Sequence, residues 1–153
     1  YIERIKSAEV KEYIFKNIHD YYYPLSLDLR ILIDHTFVLA MECKTYTENA
    51  MLKRVLVDFT LLKQIYENIT PALFQLESQL GGDYSDLSDV AFGSPSTHTL
   101  LSYFDIDLHI ITLLKGERKV DQPIHKKEYY KPLTKESLAR AIKIISQILE
   151  NYR

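Results

Sequence analysis

Leu27-Asp28-Leu29-Arg30-Ile31-Leu32-Ile33-Asp34-His35-Thr36-Phe37-Val38-Leu39-Ala40-Met41-Glu42-Cys43 is the longest nearly unbroken apolar stretch of the chain, and its reading decides the fold. Pro24 closes whatever precedes it, because proline disfavours a helical residue before it. Ser26 can then cap a helix, and Asp28 in the first turn complements the helix dipole. Read this way, the stretch is one helix from Ser26 to about Cys43. It is apolar almost all round, so it is expected at the centre of a bundle. Arg30 and Asp34 stand one turn apart on it and are expected as a buried polar pair.

Working outward, helical periodicity continues in both directions. Ile2, Ile5, Tyr13, Ile14 and Ile18 predict a first helix to about His19, broken near Ser7. Leu52, Val55, Leu56, Phe59, Leu62, Tyr66 and Ile69 make the clearest stripe in the chain, with Thr47 as its cap. Thr70-Pro71 reads as a cap plus first-turn proline for a fourth helix, stopped at Gly81-Gly82. The segment 83–95 reads as a loop, with one helical turn over Ser85 to Ser88. The segment 97–114 fits either period: Leu101, Phe104, Leu108 and Ile111 suit a helix, while Ile106, Leu108 and Ile110 alternate as in a strand. A lone strand would have no partner, so the helix is chosen. Residues 115–131 form a connection. A last helix begins after Thr134 and buries Leu138, Ala141, Ile142, Ile145, Ile148, Leu149 and Tyr152. The fold class expected is all-α, a bundle of five to six helices in a single domain over residues 1–153.

The chain has 153 residues, of which 46% are hydrophobic and 26% charged, the balance of a globular protein. No apolar run approaches the ~18 residues of a membrane span, so no membrane partner is expected. The single cysteine, Cys43, can form no internal disulfide, which suits a reducing, cytoplasmic setting. The chain opens Tyr-Ile-Glu-Arg-Ile without methionine or apolar leader, and is expected to be the C-terminal domain of a longer protein. The five histidines are scattered, with no pair three or four residues apart, so no metal and no cofactor are assigned.

Net charge is −2, but its distribution is uneven. Residues 75–114 hold six acidic and no basic side chains, whereas residues 115–153 hold ten basic against five acidic. Lys119, Lys126 and Lys127, with Tyr129 and Tyr130, are candidate phosphate- and base-contacting residues for RNA or DNA.

One spacing carries catalytic chemistry. Arg118-Lys119-Val120-Asp121-Gln122-Pro123-Ile124-His125 sets six residues between an arginine and a histidine. A histidine can exchange a proton with a ribose hydroxyl while an arginine stabilises the phosphate charge. With that pair near the last helix, and with the segment from Pro24 to Glu42 as an early core helix, the chain resembles the HEPN superfamily of helical domains. That resemblance implies either a catalytically silent interaction module or a metal-independent endoribonuclease with Arg118 and His125 at a dimer cleft. The leading expectation is a helical interaction module of a larger intracellular protein, associating with itself, with the rest of its parent or with nucleic acid. The alternative is the ribonuclease.

Overall fold

The computed structural model describes residues 2–85, 93–123 and 125–152. It corrects the all-α expectation at its centre. The stretch that decides the fold is a β-hairpin, with β1 at Leu29–Ile33 and β2 at Thr36–Glu48, paired antiparallel. The turn is Asp34-His35, whose φ values of +47° and +67° are the left-handed pair that a two-residue hairpin turn of type I′ requires. Asp and His tolerate that region better than most residues. A strand buried on both faces is as continuously apolar as a central helix, so hydrophobicity alone could not separate the two.

Two parallel strands complete the sheet. Strand β3 covers Thr70–Gln79 and β4 covers His109–Thr112, giving the spatial order β1-β2-β3-β4. Thr70-Pro71 therefore opens a strand rather than a helix. Proline is tolerated at the start of a strand, and Pro71 lies level with Ala40 of β2. The segment 97–114 divides between both of its readings. Helix α3 takes Pro95–Tyr103, and a strand forms at His109–Thr112, past most of the alternating stretch Ile106–Ile110, with Ala72–Gln75 of β3 as its partner. That partner was hidden in a segment read as helix. Gly81 follows β3 at φ +85°, and a Cβ there would come within 2.3 Å of the Ser94 nitrogen, so glycine lets the chain close up before α3.

Three of the expected helices are present, though shifted or shortened. Helix α1 spans Ala8–Lys16, with the Ser7 side chain accepting from the Val10 N–H. Helix α2 spans Asn49–Lys63 and buries the expected stripe of Leu52, Val55, Leu56, Phe59 and Leu62. Helix α4 spans Lys135–Glu150 and is capped by Thr134. Its inward face is Ser137, Ala141, Ile144 and Ile148, so it is rotated from the one expected and leaves Ile142 64% exposed. The helical turn expected over Ser85 to Ser88 lies largely outside the described residues.

The layers follow from strand periodicity. Leu39, Met41, Ala72 and Ile111 pack with Ile144 and Ile148 of α4 on one face. Ala40 and Leu73 pack with Leu52, Leu56 and Phe59 of α2 on the other, joined by Leu101 of α3 and Ile110. The result is a helix–sheet–helix sandwich built on a β2-α2-β3 crossover. Among the described residues no helix is long and apolar enough to cross a membrane.

Candidate active site

The hairpin places two carboxylates and a lysine at one corner of the sheet. Glu42 and Lys44 are two residues apart on β2, so their side chains leave the same face. They form an ion pair, with side chains 21% and 30% exposed. Across the ladder Leu29 faces Met41, and one further step brings Asp28 level with Glu42. Side chains directly opposite on antiparallel strands have Cβ atoms roughly 5 Å apart.

Asp28 is fixed by the backbone. Strand β2 runs on past the end of β1, which leaves the Cys43 N–H without a strand acceptor on that side. The Asp28 carboxylate takes it, with Oδ2 2.7 Å from the nitrogen. The field of the corner is legible at Cys43 itself. Burial pushes its thiol pKa up, and Asp28 and Glu42 push it further, against the opposing pull of Lys44.

Beside Asp28 lies an open groove of about 1510 Å³, bordered by Arg30, His35, Phe37, Tyr66 and Asn68. On the other side, a polar row crosses the sheet at the level of Lys44. Lys44 is in register with Gln75 of β3, and Gln75 with Thr112 of β4. Gln75 Nε2 donates to Thr112 Oγ1 at 3.0 Å.

Two close carboxylates and a lysine are a donor set for a divalent cation and a phosphate. Among the described residues no group of three or more His, Cys, Asp or Glu is gathered for a metal. Magnesium does not need one, because it binds through one or two carboxylates and takes its remaining oxygens from water and substrate phosphate. The pair Asp28 and Glu42 fits that demand.

The sequence-based candidates are placed elsewhere. Arg30 and Asp34 are both exposed, Arg30 on the edge strand β1 and Asp34 in the turn, so they form no buried polar centre. Their helical spacing vanished with the helix. Arg118 donates from Nη1 to Gln79 Oε1 at 2.9 Å and stacks over the Tyr46 ring at 3.8 Å. His125 is exposed, and among the described residues no hydrogen bond joins it to Arg118. Lys119, Lys126, Lys127 and Tyr130 are exposed on the same connection, and Tyr129 is half-buried. Asp28, Glu42 and Lys44 were missed. The available signal was a Glu-x-Lys triplet ending an apolar run, preceded by an aspartate and a two-residue polar turn.

No protein-family model matches the chain. No solved structure matches it either. The chain is similar to the type II restriction enzyme DdeI of Desulfomicrobium norvegicum, with 53% identity over 150 residues. The matched region is 97% of this chain and 62% of that enzyme, so the chain spans somewhat less than two thirds of its relative. The similarity to a restriction enzyme, together with the mixed sheet, overturns the expectation of a helical interaction module. It also overturns the HEPN resemblance and the ribonuclease reading drawn from it.

Proposed function

We propose that this chain carries the cleavage centre of a divalent-cation-dependent DNA endonuclease of the type II restriction kind, hydrolysing phosphodiester bonds in duplex DNA. The observation that carries the reading is the corner where Asp28 stands level with Glu42 and Lys44 leaves the same face of β2. The 53% identity to a restriction enzyme supports it.

In this reading Asp28 and Glu42 hold the cation. When bound, it would supply a positive charge at the phosphate and acidify a coordinated water. The chain's own residues do the rest. The Cys43 N–H orients the Asp28 carboxylate, which needs no rearrangement to present its other oxygen. Lys44 adds a positive charge where a phosphate gains negative charge in the transition state. The pair Glu42 and Lys44 keeps the ammonium in place before substrate arrives.

Lys119, Lys126 and Lys127 act in this reading as contacts to the DNA backbone, which set register and affinity but not sequence. Tyr129 and Tyr130 flank them. One corner cuts one strand, so cleavage of a duplex calls for a second copy of the chain.

The test is cleavage of supercoiled plasmid by the intact protein in magnesium and in EDTA, with Asp28→Asn, Glu42→Gln, Lys44→Ala and His125→Ala. Cleavage is expected only with magnesium, lost by at least about a hundredfold in the first three variants and retained in His125→Ala. Cleavage that persists in EDTA, or in Glu42→Gln and Lys44→Ala, overturns the proposal.

A further inference from the structure

Three buried polar side-chain atoms have no hydrogen-bond partner among the described residues: Thr47 Oγ1, Gln75 Oε1 and Arg118 Nε. Only Gln75 stands level with the proposed cleavage corner. Its side chain is fully buried, and Lys44 is its register partner on β2. Residues in register on neighbouring strands share a face of the sheet. The amide is anchored on its far side by the bond from Nε2 to Thr112 Oγ1, which leaves the carbonyl oxygen as the unpaired end.

A buried carbonyl without a donor carries a desolvation penalty that an apolar residue at the same place would not. A leucine would suit this central strand position better. The penalty is intelligible if the oxygen acquires a donor in another state of the site. The nearest candidate by register is the Lys44 ammonium, which has three N–H donors and is now engaged by Glu42. Glu42 has a second use in the proposed function, as a ligand to the cation. When Glu42 is so engaged, Lys44 loses its acceptor.

From this row we infer that Gln75 is a positioning residue for Lys44: its side-chain carbonyl accepts the Lys44 ammonium when Glu42 turns to the cation, and holds it toward the scissile phosphate. The inference rests on the nuclease reading for its role in catalysis. The contact itself rests only on the row formed by Lys44, Gln75 and Thr112. The bond to Thr112 anchors the planar amide on its far side, with the carbonyl oxygen as the unpaired end.

Two measurements test it. The first uses no metal and no substrate. Thermal unfolding of the intact protein in EDTA is followed for the parent, Glu42→Ala, Gln75→Leu and the double variant. Removing Glu42 releases Lys44 as cation binding would, so Gln75→Leu is expected to lower the midpoint by about 2–4 °C more in the Glu42→Ala background than in the parent. Loss of the bond to Thr112 is common to both backgrounds and cancels. Equal shifts in the two backgrounds overturn the contact. Gln75→Met, flexible enough to fill an imperfect space, replaces Gln75→Leu if that variant does not fold.

The second measurement is magnesium-dependent cleavage. Gln75→Leu is expected to lower kcat roughly tenfold with KM for DNA unchanged, and Gln75→Glu, which keeps an acceptor, to retain most of the rate. Full-rate cleavage by Gln75→Leu overturns the positioning role. If the parent does not cleave, or if Lys44→Ala cleaves like the parent, the nuclease reading fails instead, while the unfolding cycle still decides whether Gln75 and Lys44 meet.

Discussion

Removing the ammonium of Lys131 should destabilise the fold more than any comparable surface change, although a third of its side chain is exposed. Its Nζ lies 2.6 Å from Glu77 Oε1, and the Glu77 side chain is only 6% exposed. The same ammonium donates to the backbone carbonyls of Lys115, at 3.1 Å, and Gly116, at 3.4 Å. It thus ties the C-terminal end of β3 to the loop after β4. Lys131→Met keeps most of the stem volume and deletes the charge, leaving a buried carboxylate unpaired. Breaking a fully buried pair costs about 3–5 kcal/mol. Because water can reach the vacated side through the exposed third of Lys131, the cost falls below that range, and we expect about 2–3 kcal/mol. For a chain of this size that lowers the melting midpoint by about 4–12 °C. Urea unfolding of the parent, Lys131→Met, Glu77→Gln and the double variant measures it, with the slope of the transition checked for constancy. The sign of the coupling is the decisive quantity. Glu77→Gln removes the stranded charge, so it should partly rescue Lys131→Met. If it instead adds its own full loss to that of Lys131→Met, the buried-charge reasoning is refuted.

Other outcomes follow from single positions. Leu56→Ala, at a fully buried site under the sheet, should cost about 2–5 kcal/mol in urea unfolding, and Ile142→Ala on the open face of α4 less than about 0.5 kcal/mol. Replacing Asp34-His35 by Asn-Gly should stabilise by about 1 kcal/mol, because both positions hold positive φ; an unchanged urea midpoint would show that the turn is not under that strain. Burial opposes the charge on Asp83, but hydrogen bonds from Ser85 and from the Gly116 N–H, with Lys131 near, hold its carboxyl below the usual carboxylate range. Its contribution is therefore complete above about pH 4 and is lost as pH falls through the lower folded value, so Asp83→Asn should flatten the acid limb of a stability–pH curve. An acid limb identical in Asp83→Asn and the parent would contradict this.

What could be read from the sequence depended on whether an element shows one apolar face or two. Helix α2 sits on one side of the sheet with Lys53 and Arg54 in water, so its stripe has a clear period and was found. The start of α4 was legible through its hydroxyl cap, Thr134, whereas Ser7, read as a break within a first helix, is the cap of α1. The strands β2 and β3 are covered on both faces, by α4 and by α2, which erases the period of two that marks a strand. Leu73-Phe74-Gln75-Leu76 in β3 then resembles a buried helix turn, and Thr70-Pro71 a helix start. The alternation over Asp105 to Ile110 ran into the start of β4, but a strand needs a partner, and its partner had already been assigned as helix. One misread element thus removed the evidence for the next.

The same misreading hid the proposed cleavage corner, and the reason is metrical. Asp28 and Glu42 are fourteen residues apart. On a continuous helix that separation spans about 21 Å, at roughly 1.5 Å per residue, and no single ion could touch both. In the hairpin the fourteen residues fold back at Asp34-His35, and Asp28, one step beyond the Leu29–Met41 pair, returns to the side of β2, where its carboxylate takes the Cys43 N–H next to Glu42. The turn therefore does two things at once. It ends the apolar run that looked like a helix, and it brings together the distant acidic pair proposed to hold the cation. Glu-x-Lys on a helix would put its two side chains on different faces, whereas on a strand they share one. Neither residue type nor spacing distinguishes the two cases without the turn. The left-handed pair Asp34-His35, set between the apolar runs Ile31–Ile33 and Phe37–Met41, was the observation from which both the fold and the site could have been built.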